Sequence, residues 1–97
     1  MTYKLTFLKS AKKEWDKLDI PIKERFKAKL IQRIEEPHVP RDKLAGMNDC
    51  YKIKLRALGC RLVYKVIKEK ITIQVIAAGK RNKEVVYKYA RNRMNQM

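Results

Sequence analysis

A chain of 97 residues suits a single domain, residues 1–97, built on one modest core. Its 25 Lys and Arg against 10 Asp and Glu give a net charge of +15, yet 45% of the residues are hydrophobic, which excludes a disordered polybasic tail. Two cysteines and one histidine leave no basis for a disulfide scaffold or a zinc centre, and no apolar run approaches the ~20 residues of a membrane span.

The chain opens on YKLTF, Tyr3 to Phe7, whose alternation reads as a short strand. Ser10 is placed to cap a helix through Leu18, with Ala11, Trp15 and Leu18 on its inner stripe. Asp19-Ile20-Pro21 interrupts the chain, and proline is tolerated in a first helical turn because its missing N–H had no intrahelical partner. Ile22, Phe26, Leu30 and Ile34 then recur every four residues, so a second helix ends at Glu36 before Pro37. Two helices on so short a link predict a helical hairpin lying across a sheet. Trp15 and Phe26 read as core residues rather than base-stacking platforms, since aliphatic neighbours share their stripe.

Pro37 to Met47 reads as irregular, with Leu44 dipping into the core and Gly46 permitting a turn. From Asp49 the pattern sharpens. Tyr51, Ile53 and Leu55 point one way and Lys52, Lys54 and Arg56 the other; after a turn at Ala57 to Gly59, Leu62, Tyr64 and Val66 return along the apolar face. Keeping both apolar sets on one face requires paired residue numbers to sum to an odd value, about 115 or 117; this parity leaves Lys54 and Arg61 sharing the outer face, where a one-residue slip would bury the cations. It also keeps Cys50 and Cys60 from lying opposite one another, so both read as buried or half-buried thiols. Lys68-Glu69-Lys70 makes a second turn. Ile71 to Ala78 is nearly continuous in β-branched and apolar residues, the pattern of a central strand covered on both faces, ended by Gly79. Asn82 is a candidate N-cap for a last helix through Met94, with Glu84 in its first turn. On that helix Val85, Val86, Tyr89 and Ala90 are candidates to pack, while Lys83, Tyr87 and Arg91 follow along another side. The order β-α-α-β-β-β-α predicts an α+β fold with a mainly antiparallel four-stranded sheet, an N-terminal helical hairpin and a C-terminal helix.

The charge is spread along the whole chain, so it belongs to the folded domain. Nucleic acid is the first partner class it suggests, with an anionic membrane or an acidic protein as the other two. The N-terminus lacks the apolar core and cleavage site of a secretion signal, and a cytoplasmic protein is expected. There is no Gly-rich phosphate loop and no HExxH or GxSxG motif, and the acids are scattered among lysines rather than clustered as a metal-dependent nuclease requires. No metal and no cofactor are therefore expected. His38, alone between Pro37 and Pro40, reads as a surface residue.

What remains is Lys, Arg and Tyr, and that set can still cleave RNA. The substrate supplies its own nucleophile, the 2′-hydroxyl beside the scissile phosphate. The protein has to align it, remove its proton, stabilise charge on phosphorus-bound oxygens and protonate the leaving 5′-oxygen. Neighbouring cations favour a tyrosine phenolate, otherwise a poor base at a pKa of ~10. The same Lys52, Lys54 and Arg56 would also suit the wet face of an ordinary strand, and Tyr87 alone a half-buried packing residue.

The segments KLAGMNDCYKIKLRALGCRLVYKV and VIAAGKRNKEVVYKYA, through YKIKLR, GxRLVY and the GKR-x5-Y spacing, resemble RelE-type toxins of the RelE/ParE superfamily, and the likeness runs over nearly the whole chain. The resemblance implies a ribosome-dependent, metal-independent mRNA endonuclease with Lys52, Lys54, Arg61, Arg81 and Tyr87 as catalytic residues. Tyr87 would be the base on the 2′-hydroxyl, alone or with Lys52 or Lys54; Arg61 and Lys54 would hold the scissile phosphate; Arg81 would act at the leaving oxygen. Arg56, Lys80, Lys83 and Arg91 are the candidate RNA contacts around them. It further implies a RelB-like antitoxin as inhibitor, the bacterial ribosome with its A site, rRNA and mRNA as target, DNA contact only through the antitoxin complex, and no membrane. A ParE-like gyrase inhibitor on the same fold, or a basic module that coats nucleic acid without cutting it, stand as alternatives. One departure is visible: where relatives often carry arginine in the KLxGM segment this chain has Ala45, which leaves an auxiliary RNA contact in question.

Overall fold

The computed structural model describes residues 2–80 and 85–96. Its elements are β1 (Lys4–Phe7), α1 (Lys9–Asp16), α2 (Ile20–Glu35), β2 (Cys50–Leu55), β3 (Cys60–Ile67), β4 (Thr72–Lys80) and α3 (Val85–Asn95), with single 3₁₀ turns at Pro40–Asp42, Arg56–Leu58 and Lys68–Lys70. The four strands form one sheet in the order β1-β4-β3-β2. Only β1 runs parallel to its neighbour β4; the other two pairings are antiparallel, as the alternation predicts.

The sheet is covered on both faces. The helical hairpin lies on one, where Ala11, Trp15, Leu18, Ile22, Phe26 and Leu30 pack against Ile53, Leu62, Tyr64, Val66, Ile73 and Val75. The other carries a smaller cluster of Met47, Cys50, Val63, Ile76, Ala77, Val86 and Ala90 beneath α3, with Leu44 partly buried beside it. Cys50 and Cys60 are buried on opposite faces, so no disulfide can join them. Among the described residues no helix is long and apolar enough to cross a membrane.

The hairpin register pairs Lys54 with Arg61 and Ile53 with Leu62, the first of the two registers that burial of the apolar face allows. Between β3 and β4 the register shifts. Val63 faces Ala77 but Tyr64 faces Val75, so Ile76 is an extra residue in β4, a bulge that presents both Ile76 and Ala77 to α3.

Four sequence expectations need correction. Ser10 does not cap α1. The β1 ladder continues to Leu8, whose N–H donates to the Val75 carbonyl at 2.9 Å, so the helix begins at once after Leu8 and Ser10 falls inside it. Ile71 does not begin β4; it closes the preceding turn in the left-handed region at φ 47°. Gly79 does not end the strand, which runs on to Lys80. On α3, Val85 and Tyr89 are exposed and the inward stripe is Val86, Ala90 and, half-buried, Tyr87 and Met94. The expected N-cap Asn82 and first-turn Glu84 lie outside the described residues.

Candidate active site

Parity along β2 and β3 decides which side chains can meet. Tyr51, Ile53 and Leu55 are committed to the helical-hairpin face, so Lys52 and Lys54 must emerge on the α3 face, where Arg61 and Lys65 emerge from β3. Lys52, Lys54 and Arg61 are each half-buried, and Arg56 follows on the exposed turn at the end of β2. α3 brings the phenol to them. Its approach over the sheet is close at Gly79, the residue paired with Arg61: a Cβ there would lie 3.3 Å from Cγ2 of Val86, tighter than ordinary contact. A glycine at this point is what lets Val86, and with it Tyr87, settle against the strand. The Arg61 guanidinium then sits 5.8 Å from the centre of the Tyr87 ring, within cation–π range.

Among the described residues the cluster has no compensating carboxylate partner: none of the ion pairs there involves Lys52, Lys54, Arg56 or Arg61. The Lys54 ammonium is pulled below the usual lysine value, first by the charge of Lys52, then by desolvation, then by Arg61 and Arg56. The Nε of Arg61 is buried without a hydrogen-bond partner among the described residues, a deficit costing about 1–3 kcal/mol in isolation. Such a group is tolerated where a ligand or water completes its shell. Chemically, three adjacent cations can stabilise negative charge developing on a phosphorus centre, and a phenol stands beside them.

The other candidates are distributed unevenly. Lys80 pairs with Cys60, hence points to the helical-hairpin face, where its ammonium stands 4.0 Å from Asp19; the structure does not bring it to the cluster. Arg91 is exposed on α3, one turn beyond Tyr87. Arg81 and Lys83 lie outside the described residues. His38 makes edge-on contacts with Tyr3 and Tyr51 at 6.5 and 5.9 Å between ring centres, on the face turned away from the cluster. Among the described residues no three His, Cys, Asp or Glu side chains are grouped to hold a metal.

Two buried polar clamps were not anticipated from the sequence. Arg33 donates to Asp42 at 2.6 Å, to the Tyr64 hydroxyl at 2.9 Å and to the Lys52 carbonyl at 3.3 Å, while the Tyr64 hydroxyl donates to the Pro37 carbonyl. Arg93 of α3 holds both oxygens of Glu14 at 2.8 and 3.0 Å and donates to the Ile76 carbonyl at 2.9 Å. Glu14 also accepts from the Ala78 N–H. This second clamp satisfies β4 backbone groups past the end of β1, and ties α3 to α1. A cation on the buried stripe of α2 was the one available signal for the first clamp.

A family model described as the ParE toxin of type II toxin–antitoxin systems matches residues 5–85. The chain is 49% identical to the mRNA interferase toxin RelE of Escherichia coli (strain K12), over 97% of this chain and 99% of the relative. The fold superimposes on the free E. coli RelE toxin, in a doubly substituted variant, with a TM-score of 0.88 and 48% identity over 96% of this chain and 98% of that one. It superimposes on the toxin in the intact E. coli RelBE toxin–antitoxin complex with a TM-score of 0.80 and 49% identity, over 84% of this chain and 99% of that one.

Proposed function

Since the chain belongs to the family of ParE toxins of type II toxin–antitoxin systems, we propose that it is a RelE-type mRNA interferase, cutting mRNA in the A site of the bacterial ribosome without a metal. The observation that carries this reading is the convergence of Lys54, Arg61 and Tyr87: a cross-strand cation pair with its arginine over the phenol ring. In the proposed reaction Tyr87, with Lys52 or Lys54, takes the proton of the 2′-hydroxyl. The hydroxyl oxygen attacks the adjacent phosphorus, Arg61 and Lys54 stabilise the charge on the non-bridging oxygens, and Arg81 serves the departing 5′-oxygen. The P–O5′ bond breaks and the departing oxygen, its charge offset by Arg81, takes a proton from Arg81 or from solvent, giving a 2′,3′-cyclic phosphate and a 5′-hydroxyl. Alignment of the substrate is left to the ribosome, and holding the reactants in line is itself a large share of the barrier.

The family model carries the ParE name, so gyrase inhibition is the competing reading. Full-length identity near one half to a protein named mRNA interferase, together with the intact Lys-Arg-Tyr set, favours RNA cleavage. An acidic, RelB-like antitoxin is the proposed inhibitor, its charge opposite to the +15 of this chain, with DNA reached only through that complex and the cytoplasm as the place of action. The test is primer extension on mRNA in stalled ribosomes. Tyr87→Phe, Arg61→Ala and Arg81→Ala are each expected to slow cleavage by about 10²–10⁴-fold, the range for losing a proton-transfer or charge-stabilising group. Undiminished cutting by all three, or inhibition of supercoiling by the wild type, overturns the proposal.

A further inference from the structure

The positive face does not stop at Arg61. Along the outer edge of β2 a groove of about 420 Å³ opens between that strand, α2 and the Pro40–Asp42 turn. One wall is Lys52, Lys54 and Arg56; the other is Lys29 and Arg33 of α2 with Arg41 of the turn. A single carboxylate, Asp42, also lines it, and that group is already held by Arg33 at 2.6 Å. Lys29 and Arg41 take part in no ion pair among the described residues. A solvated helix face spreads its charges outward; here cations from three elements face one concavity.

The groove is also built rigidly. Arg33 is buried and joins α2 to the Lys52 carbonyl and to Asp42, so the turn carrying Arg41 is fastened to the strand carrying Lys52. A bridge between Lys43 and Tyr51 fastens the same turn from its other end. The walls therefore stand at fixed separation before any ligand arrives, which lowers the entropic cost of binding.

We propose that this groove is a second phosphate subsite, holding backbone phosphates of the substrate RNA strand beside the scissile bond, with Lys29 and Arg41 as its contacts. The inference rests on the mRNA-interferase reading and adds residues to it. Continuity decides for the substrate strand over ribosomal RNA: Lys54 and Arg56 line this groove and also the adjoining one that contains Arg61, so a single chain leaving the scissile position enters it directly. Contacts of this kind set register and affinity without reading bases.

The test is fluorescence anisotropy of the full chain with a single-stranded RNA hexamer made uncleavable by a central 2′-deoxynucleotide, titrated across salt. Each phosphate contact removed lowers the slope of log K against log salt by about 0.7, so Lys29→Ala/Arg41→Ala is expected to lower it by roughly 1.4 and to weaken binding about tenfold. A dinucleotide carrying only the central phosphate should bind the variant as it binds the wild type. Lys68→Ala/Lys70→Ala removes the same charge on the exposed turn at the other end of the sheet and should leave the hexamer slope unchanged. The proposal falls if the wild type shows no salt-dependent hexamer binding, if the groove variant keeps its slope, or if the turn variant loses as much. It also falls if the groove variant loses affinity for vacant ribosomes alone, which would assign the groove to ribosomal RNA. Because the RNA cannot be cut, failure here is separable from failure of the cleavage assignment, which Tyr87→Phe reads independently.

Discussion

Replacing Arg93 by alanine should loosen α3 without unfolding the sheet. The helix has 11 residues, too few to persist alone, and its fully buried apolar anchors are Val86 and Ala90. Burying a valine side chain is worth about 1.5–3 kcal/mol, and alanine adds little. Against that stands the Arg93 guanidinium, with two bonds to Glu14, one to the Ile76 carbonyl, and side chains of the pair 18% and 22% exposed. Breaking a buried pair by removing one partner costs about 3–5 kcal/mol; exposure at this level discounts that to roughly 2 kcal/mol, still comparable to the apolar anchoring. A loss of about 2 kcal/mol multiplies the open population of the helix roughly 30-fold. Native-state hydrogen exchange reads this directly: amide protection on α3 should drop by about that factor while β3 and β4 keep theirs. Glu14→Gln, which retains an oxygen for the Ala78 N–H, should produce the same effect more weakly. Unchanged α3 protection, or an equal fall in α3 and the central strands, would refute the idea that this clamp holds the helix as a separable unit.

Three further outcomes follow from local physics. At Ile71, held at φ 47°, the glycine variant should be more stable than the alanine variant by about 1 kcal/mol in urea unfolding, since both lack the side chain and only alanine keeps the left-handed strain; alanine equal or better refutes this. Lys54 titrates low in the folded state, so its charged form opposes folding below that value, and the opposition fades as pH rises toward the ordinary 10.5. Lys54→Gln should accordingly raise stability by some tenths of a kcal/mol near neutrality, the gain shrinking at alkaline pH, and Lys52→Met should move the Lys54 titration upward by NMR; a Lys54 value insensitive to Lys52 would count against the cluster. Burial pushes the Cys50 thiol up to about 11 and raises Cys60 as well, so a thiol-reactive disulfide at about pH 8 should label neither until urea unfolds the chain; prompt native labelling would contradict the burial.

The sequence carried the β2–β3 hairpin better than it carried the last helix. Alternation from Tyr51 to Val66 fixes the parity that keeps the apolar set in and the cations out, so Lys54 and Arg61 were legible on one face before any coordinates, while the choice between registers two residues apart, which pairs them directly, was not. In α3 every third or fourth residue is apolar or aromatic on more than one side, and the choice of inward stripe was made by packing: Val86 fits the close approach over Gly79, Ala90 is buried in the same cluster, and Tyr89 stays exposed beneath Arg93. Ser10 has the chemistry of a cap, but a ladder bond from the strand fixed the helix start two residues earlier. The clamps of Arg33 and Arg93 were silent because long-range partners leave no periodic trace. The bulge at Ile76 was silent for another reason: in a run of apolar residues, a slip of one position changes nothing that composition records.

That extra residue has a consequence for comparing chains of this kind. Because Val75 and Ala77 both pair with consecutive residues of β3, excision of Ile76 would leave Gly79 opposite Arg61 and every later side chain on its present face. A family member one residue shorter at this point would thus deliver its phenol-bearing helix to the same side, lacking the carbonyl that Arg93 grips. Gaps placed there in an alignment conserve the active geometry; gaps placed a few positions on, past the bulge, would turn it inside out.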